Sequence, residues 1–233
     1  MKKLSKRYRT VRDKIEKGKI YSIEKAVEIL KELHSAKFDE TVELCLRLGV
    51  DTKKTQQPVR GAVVLPHGSG RKVRVLVMAQ GEAVEKARQA GADFVGGQEL
   101  VDKIKSGWLD FDAVVATPDM MKMVAPLGKV LGPRGLMPSP KTGTVTFDVD
   151  QITSQLKKGR TEFRMDKDGN VHIPVGKISF SPEKLVENIQ AAIRAVEESK
   201  PSGSRGQLIR KVFLSLSMSP SVEVAPAKST VAE

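Results

Sequence analysis

The hydrophobic pattern of this 233-residue chain changes twice, near residue 68 and near residue 160. In both outer segments, polar and apolar residues alternate as in strands that bury one face. The middle segment carries short, continuously apolar runs between helical patterns, which indicates βαβ units around a parallel sheet. Each outer segment has too few strands to form a core alone. The pattern therefore predicts a discontinuous α+β domain, 1–67 with 160–233, interrupted by an inserted α/β domain, 68–159.

Start and stop signals place the elements of the outer segments. Ser22 is expected to be the N-cap of one helix, and Ser181-Pro182-Glu183 opens another. Asp168-Gly169 is typical of a hairpin turn. The predicted elements are a helix over 22–34, strands over 38–48, 62–65 and 211–218, a hairpin over 160–176, a helix from 181 to about 199, and a frayed tail over 222–233.

The insert reads as three strands, each followed by a helix. The strands are predicted at 72–79, 93–95 and 111–118, and the helices at 82–91, 98–107 and 119–128, followed by a loop at 131–145. A dinucleotide site in such a fold needs a glycine-rich turn after the first strand. This turn contains the single glycine Gly81, which argues against an enzyme that uses such a cofactor.

The charge of the chain predicts a polyanionic partner. Forty Lys and Arg residues against 28 Asp and Glu give a net charge of +12. Residues 1–19 hold nine bases and two acids, whereas 68–159 have a net charge of only +3. The basic N-terminal segment is either a solvated flexible end or an arm that contacts phosphates through Lys6, Arg7 and Arg9. Phosphate contacts would give affinity without sequence preference.

Other classes of function lack the residues that they need. No run of about 18 apolar residues is present, and the basic N-terminus has no apolar segment after it, so neither a membrane span nor a secretory signal is expected. The single cysteine, Cys45, makes no intrachain disulfide and fits a reducing cytosol. His34, His67 and His172 show no paired spacing for a metal. No nucleophile stands out, so we expect no catalytic residue, metal or cofactor.

Several stretches resemble the bacterial family of large-subunit ribosomal protein L-one. They are AKFDETVE at 36–43, VRG at 59–61, LPHG at 65–68 and the long, unusual LGPRGLMPSPKTGTV at 131–145. The resemblance covers about residues 5–222. It implies an RNA-recognition-like α+β sandwich that is interrupted by a Rossmann-like, three-layer α/β domain.

The resemblance also implies a function. Such a protein is a non-enzymatic constituent of the large ribosomal subunit that binds the mobile stalk of large-subunit rRNA near the tRNA exit site. Its implied partners are this rRNA, tRNA in the exit site, whose release after deacylation it assists, and other components of the large subunit. It also represses its own operon by binding a similar mRNA fold. Its expected location is cytoplasmic and ribosome-associated.

In that family RNA contact comes mainly from the discontinuous domain. The matching positions here are Lys37, Phe38, Thr41, Glu43, Arg164, Asp166, Lys167, Ser217, Met218 and Ser219. Core packing is the alternative for Phe38, and an ordinary solvated strand residue is the alternative for Glu43. Two positions depart from the family pattern: Ser219 replaces a glycine, and Met165 replaces an asparagine. The 131–145 loop would hold the interdomain hinge or approach a second RNA segment.

Two other functions remain open from the sequence. One is a small-molecule enzyme that uses the inserted domain. The other is a nucleic-acid regulator of the same fold that acts outside the ribosome.

Overall fold

The computed structural model describes residues 5–16, 18–50, 59–200 and 206–226. It is a mixed α/β structure with several sheets. The chain divides into two compact units, an outer unit of residues 1–70 with 161–233 and an inserted unit of residues 71–160. No helix in the described ranges is long and apolar enough to cross a membrane.

The outer unit is organised around a four-stranded antiparallel sheet. Its strands are β1 (Thr41–Leu48), β7 (Asn170–Lys177), β8 (Ile209–Leu216) and β9 (Val222–Val224), in the spatial order β7-β1-β8-β9. A separate two-stranded sheet pairs β2 (Arg60–Val64) with β6 (Arg160–Arg164). The predicted alternation of β1 is confirmed, because Val42, Leu44 and Leu46 are fully buried.

Three helices complete the outer unit: α1 (Lys6–Arg12), α2 (Ile23–Leu33) and α8 (Pro182–Glu198). The predicted N-cap of α2 is confirmed, since the Ser22 hydroxyl accepts a hydrogen bond from the Lys25 N–H at 3.3 Å. The apolar stripes of α2 and α8 and the inward side chains of the sheet form one core. The other face of the sheet carries the polar residues of the alternation.

The prediction of a frayed tail over 222–233 is wrong for its first residues. Val222 and Val224 are buried in β9, which pairs with β8. Tyr21 extends this pairing, because its N–H donates to the Glu223 carbonyl and its carbonyl accepts from the Ala225 N–H. A three-residue strand is too short to show alternation clearly, so its pairing with the free edge of β8 decides its structure. Residues 227–233 lie outside the described ranges.

The predicted hairpin over 160–176 is correct only at its turn. A single bridge joins Met165 to Val171. Beyond this bridge the two strands belong to different sheets, because β6 pairs with β2 and β7 pairs with β1. Phe163 of β6 is buried in the core. A Cβ on Gly61 would lie 2.8 Å from the Phe163 ring, so the glycine permits this close approach.

The inserted unit has a parallel three-stranded sheet with helices against both faces. The strands are β3 (Val75–Met78), β4 (Phe94–Gly96) and β5 (Ala113–Ala116), in the spatial order β4-β3-β5. The helices are α3 (Glu82–Gln89), α4 (Gln98–Lys105), α5 (Met121–Val124), α6 (Gly128–Leu131) and α7 (Val149–Lys157). Leu76 and Met78 face the core that includes α4, and Val75 and Val77 face the core that includes α3 and α7. These strands were predicted from their continuous apolar runs.

Two parts of the inserted unit differ from the sequence prediction. The helix expected at 119–128 is a series of short 3₁₀ and α turns between Pro118 and Leu131. Pro126 lies inside this stretch, where it removes an N–H donor and opposes a regular helix. Helix α7 was not predicted, although Val149, Thr153 and Leu156 are buried at helical spacing.

Candidate nucleic-acid interface

Three segments of the outer unit meet at one end of the four-stranded sheet. Strand β1 begins at Thr41, which pairs with Lys177 at the end of β7, and Val42 pairs with Leu216 at the end of β8. Since β1 is antiparallel to both neighbours, residues 37–41, 177–179 and 217–219 lie at the same edge. We call these three segments the sheet-end surface. It contains the predicted site residues Lys37, Phe38, Thr41, Ser217, Met218 and Ser219.

Polar contacts fix the segments of this surface to each other. The Thr41 N–H donates to Ser217 Oγ at 3.2 Å. Lys177 Nζ donates to Thr41 Oγ1 at 2.8 Å and approaches the Asp39 carbonyl at 3.4 Å. Ser179 donates to the Asp39 carboxylate through its N–H at 3.2 Å and its hydroxyl at 2.9 Å. The surface is therefore preformed by side chains from all three segments.

Large apolar side chains are exposed on the sheet-end surface. Phe38 is 53% exposed and Met218 is 45% exposed. The alternative interpretation of Phe38, core packing at the start of a strand, is therefore wrong. Beside Phe38 lies an open groove of about 560 Å³, which is lined by Lys31, His34, Ala36, Lys37, Phe38, Asp39, Ile178 and Ser179. An exposed aromatic ring among lysines suits stacking and phosphate contacts with unpaired nucleotides.

The Ser217-Met218-Ser219 turn does not need the glycine that the family pattern has. No non-glycine residue in the described ranges has a positive φ, so Ser219 adopts an ordinary backbone conformation. Its hydroxyl accepts from the Leu216 N–H at 3.1 Å and donates to the Pro220 carbonyl at 3.2 Å. The serine therefore adds hydrogen bonds that close the turn after β8.

Sequence reasoning missed Glu40, which is only 1% exposed. Its Oε1 accepts from the Met218 N–H at 3.0 Å, and its Oε2 lies 2.6 Å from His34 Nδ1. The signal was present in the alternation of β1, because position 40 has the same parity as the buried Val42 and Leu44. A carboxylate on the core face of a strand needs partners.

Glu43 lies farther along β1 on the polar face of the sheet. Its Oε1 is 3.2 Å from His172 Nδ1, and His172 Nε2 is 3.9 Å from Cys45 Sγ. Burial, with smaller effects of Glu43 and Asp166, raises the pKa of the Cys45 thiol. The thiol is therefore protonated at neutral pH, which makes this cysteine a poor nucleophile.

The structure places Arg164, Asp166 and Lys167 at the opposite end of the sheet. Their turn adjoins the end of β1, where the Leu48 N–H donates to the Gly169 carbonyl at 2.8 Å. The length of β1, at about 3.4 Å per residue, puts this turn roughly 20 Å or more from the sheet-end surface. Met165 between them is buried, which accounts for an apolar residue in place of asparagine.

In the described part of the basic N-terminal segment, helix α1 covers Lys6–Arg12. Lys6, Arg7 and Arg9 are exposed on α1, while Val11 is buried in the core of the outer unit. Ser5 caps the helix by accepting from the Tyr8 N–H at 3.3 Å. Residues 6–12 are therefore a folded element that a buried valine anchors, and a solvated role and a phosphate-contacting role both remain open for its exposed bases.

The 131–145 loop is held inside the inserted unit. The Arg160 guanidinium donates to the Thr142 carbonyl at 2.6 Å and to Gln155 Oε1 at 2.5 Å. Thr144 is buried, and Val145 forms a parallel bridge to Ala116 of β5. Within the described ranges, no group of three or more His, Cys, Asp or Glu side chains is placed to hold a metal ion.

Comparison with known proteins identifies the family. Residues 30–220 match the model of the ribosomal protein L1p/L10e family. The chain is 54% identical over 227 residues to large ribosomal subunit protein uL1 of Thermus thermophilus, covering 97% of this chain and 99% of that protein. It is 55% identical over 228 residues to the protein of the same name from Persephonella marina, covering 96% of this chain and 94% of that protein. The chain therefore belongs to the ribosomal protein L1p/L10e family.

Proposed function

We propose that this protein is a non-enzymatic constituent of the large ribosomal subunit that binds structured RNA through the sheet-end surface. Its relatives are named as proteins of the large ribosomal subunit. The observation that carries the proposal is the meeting of Phe38, Lys37, Thr41 and the Ser217–Ser219 turn at one end of one sheet. These positions are separated by about 180 residues in the sequence, so only the fold brings them together.

The chemistry of the surface suits RNA. Lys37 is exposed beside Phe38, so a phosphate and a nearby base or ribose can be contacted together. The basic side chains would release counterions and supply affinity. The hydroxyls of Thr41 and Ser217 and the carboxylate of Glu43 would read riboses and base edges, because a carboxylate accepts from a ribose 2′-OH.

The target that fits this proposal best is the mobile stalk of large-subunit rRNA near the tRNA exit site. There the protein would assist release of deacylated tRNA and would work beside other components of the large subunit in the cytoplasm. A similar fold in its own operon mRNA would be bound by the same surface, which would repress translation. In this proposal the outer unit is the RNA-recognition-like domain and the inserted unit is the Rossmann-like domain.

Cosedimentation with large ribosomal subunits and binding to a stalk rRNA fragment test the proposal. Phe38→Ala and Ser217→Ala should each weaken RNA binding by about 1–2 kcal/mol, the scale of one lost stacking or hydrogen-bond contact. Phe147→Ala is the matched control for Phe38, since Phe147 is 66% exposed in the inserted unit. Filter binding at constant salt measures the affinities.

Two results would contradict the proposal. Equal losses for Phe38→Ala and Phe147→Ala would show that the sheet-end surface is not the RNA site. Failure of the wild-type protein to cosediment with large subunits in moderate salt, together with binding to other structured RNA, would favour a regulator that acts outside the ribosome.

A further inference from the structure

We propose that Glu40 is a positioning residue of the RNA interface, which holds the sheet-end surface in its binding arrangement without touching RNA. This inference rests on the proposed RNA-binding function of that surface. In this proposal, part of the affinity for RNA depends on a buried side chain that holds the contact residues in place.

Glu40 joins the three segments of the sheet-end surface. Its Oε1 accepts from the Met218 N–H at 3.0 Å, and its Oε2 lies 2.6 Å from His34 Nδ1, at the start of the loop that carries Phe38. Its backbone carbonyl accepts from the Ile178 N–H at 2.9 Å. One residue therefore ties the turn after β8, the loop before β1 and the segment after β7.

The burial of Glu40 makes these contacts necessary for the local arrangement. At 1% exposure the carboxylate has lost its water and depends on its protein partners. Replacing Glu40 with alanine would leave the Met218 N–H without this acceptor and the His34 ring without its carboxylate partner. Met218 and Phe38, the exposed apolar residues of the surface, would then be free to take other orientations. A looser surface binds RNA more weakly, because ordering it costs free energy.

The direction in which RNA affinity changes when Glu40 is replaced distinguishes a positioning role from a purely electrostatic one. Replacing Glu40 removes a carboxyl group near the proposed polyanion, so an electrostatic effect alone would tighten RNA binding. Loss of positioning would weaken it. Because Glu40 touches no phosphate in this proposal, loss of positioning should leave the slope of log K against log salt unchanged, whereas a purely electrostatic effect should fade as the salt concentration rises.

The experiment compares Glu40→Ala and Glu40→Gln with Glu32→Ala as the matched control. Glu32 is exposed in the last turn of α2, close in sequence to the loop that carries Phe38. Its replacement by alanine also removes a carboxylate, but one that makes none of the contacts of Glu40. Binding of each full-length variant to the stalk rRNA fragment is measured at several salt concentrations. Amide hydrogen exchange of Met218 is measured by NMR in the free protein.

Glu40→Ala is expected to raise the RNA dissociation constant about tenfold with an unchanged salt slope. It should also speed exchange of the Met218 amide by about tenfold or more, which a change of charge alone would not do. Glu40→Gln keeps an oxygen acceptor for the Met218 N–H, so it should restore most of the affinity and the protection. Glu32→Ala should leave both unchanged or bind RNA slightly more tightly.

His34→Ala provides a second test if Glu40→Ala does not fold. The His34 side chain is 33% exposed, so its removal leaves the core intact, and the RNA dissociation constant should rise about threefold or more. Wild-type affinity in the folded Glu40→Ala protein, or in His34→Ala, would overturn this inference and leave the proposed function standing. No RNA binding by the wild-type protein would overturn the proposed function, and this inference with it.

Discussion

At the residue scale, Asp166 was predicted to contact RNA, but its side chain forms hydrogen bonds within its own turn. Its carboxylate accepts from the Asp168 N–H at 2.9 Å, the Asn170 N–H at 2.7 Å and the Asn170 side chain at 3.3 Å. The Asn170 backbone N–H is the largest of the effects that hold the pKa of Asp166 below its ordinary value. The carboxylate therefore stabilises the β6–β7 turn in its ionised form.

The lowered pKa predicts a pH-dependent effect of Asp166→Ala. A carboxyl group with a lower pKa in the folded state contributes stability above its unfolded pKa, near 4, and loses it as the pH falls through the folded pKa. The variant should therefore lower the melting temperature at pH 7 by about 2–4 °C, and by less near pH 3. Thermal unfolding followed by circular dichroism at both pH values measures this. Asp168→Ala is the neighbouring control, and a deficit that is equal at pH 7 and pH 3 would contradict the prediction.

At the scale of elements, β9 shows how little sequence is needed to complete a sheet. Val222 and Val224 are its buried residues, and Glu223 between them bonds to Lys211 on the other face at 2.9 Å. A strand this short has no independent stability. It is held by β8 and by Tyr21, so it closes the edge of the sheet.

Val224→Ala should destabilise the outer unit by about 1–3 kcal/mol, because two buried methyl groups are lost and a small cavity remains. Chemical denaturation followed by circular dichroism gives the free energy of unfolding. The control is Glu223→Ala, which removes a partly exposed ion pair and should change that free energy by less than about 1 kcal/mol. A Val224→Ala protein as stable as wild type would show that β9 is not part of the cooperative core.

Helix α1 presents bases from an anchored element, which makes its electrostatic role testable. If Lys6 and Arg7 neutralise phosphates, replacing both with alanine should reduce the salt slope of RNA binding by about one to two. The helix should persist, because alanine is the best helix former. Salt-dependent filter binding measures the slope. The control is Lys86→Ala with Arg88→Ala, an exposed basic pair on α3 of the inserted unit. An unchanged slope for the α1 pair would show that Lys6 and Arg7 are solvated and do not contact phosphates.

At the scale of the whole molecule, the two units have separate hydrophobic cores. One cluster belongs to the outer unit, and two clusters lie on the two faces of the parallel sheet in the inserted unit. The net charge is also distributed unevenly between the two parts of the chain, since most of the surplus of +12 lies outside 68–159. We therefore expect the outer unit to fold, and to carry out the proposed RNA binding, without the insert.

Replacing residues 71–160 with about ten Gly and Ser residues should leave an outer unit that folds cooperatively, because such a linker is flexible and adds little closure entropy. Its affinity for the stalk rRNA fragment should remain within about tenfold of the full chain. Circular dichroism and filter binding measure the two properties. A folded outer unit that does not bind this RNA, while the full chain does, would show that the inserted unit supplies part of the site.

The sequence by itself determined the elements with strong local patterns and the membership of the family. Helices α2 and α8, strand β1 and the apolar strands of the insert follow from periodicity and caps, because burial of one face repeats at a fixed interval along the chain. The resemblance predicted which residues of the sheet-end surface contact RNA, and this remains a prediction.

Only the tertiary structure decided which of these residues lie together. Pairing across the sheet assembled Phe38 with the Ser217–Ser219 turn, placed Asp166 at the far end, separated β6 from β7 and brought β9 into the core. The same pairing placed Glu40 behind the surface, where its carboxylate meets Met218 from the other end of the chain. Apart from the pairing of β9 with β8, these features depend on contacts between residues about 100 or more positions apart, whereas a pattern along the chain reports only on neighbouring residues.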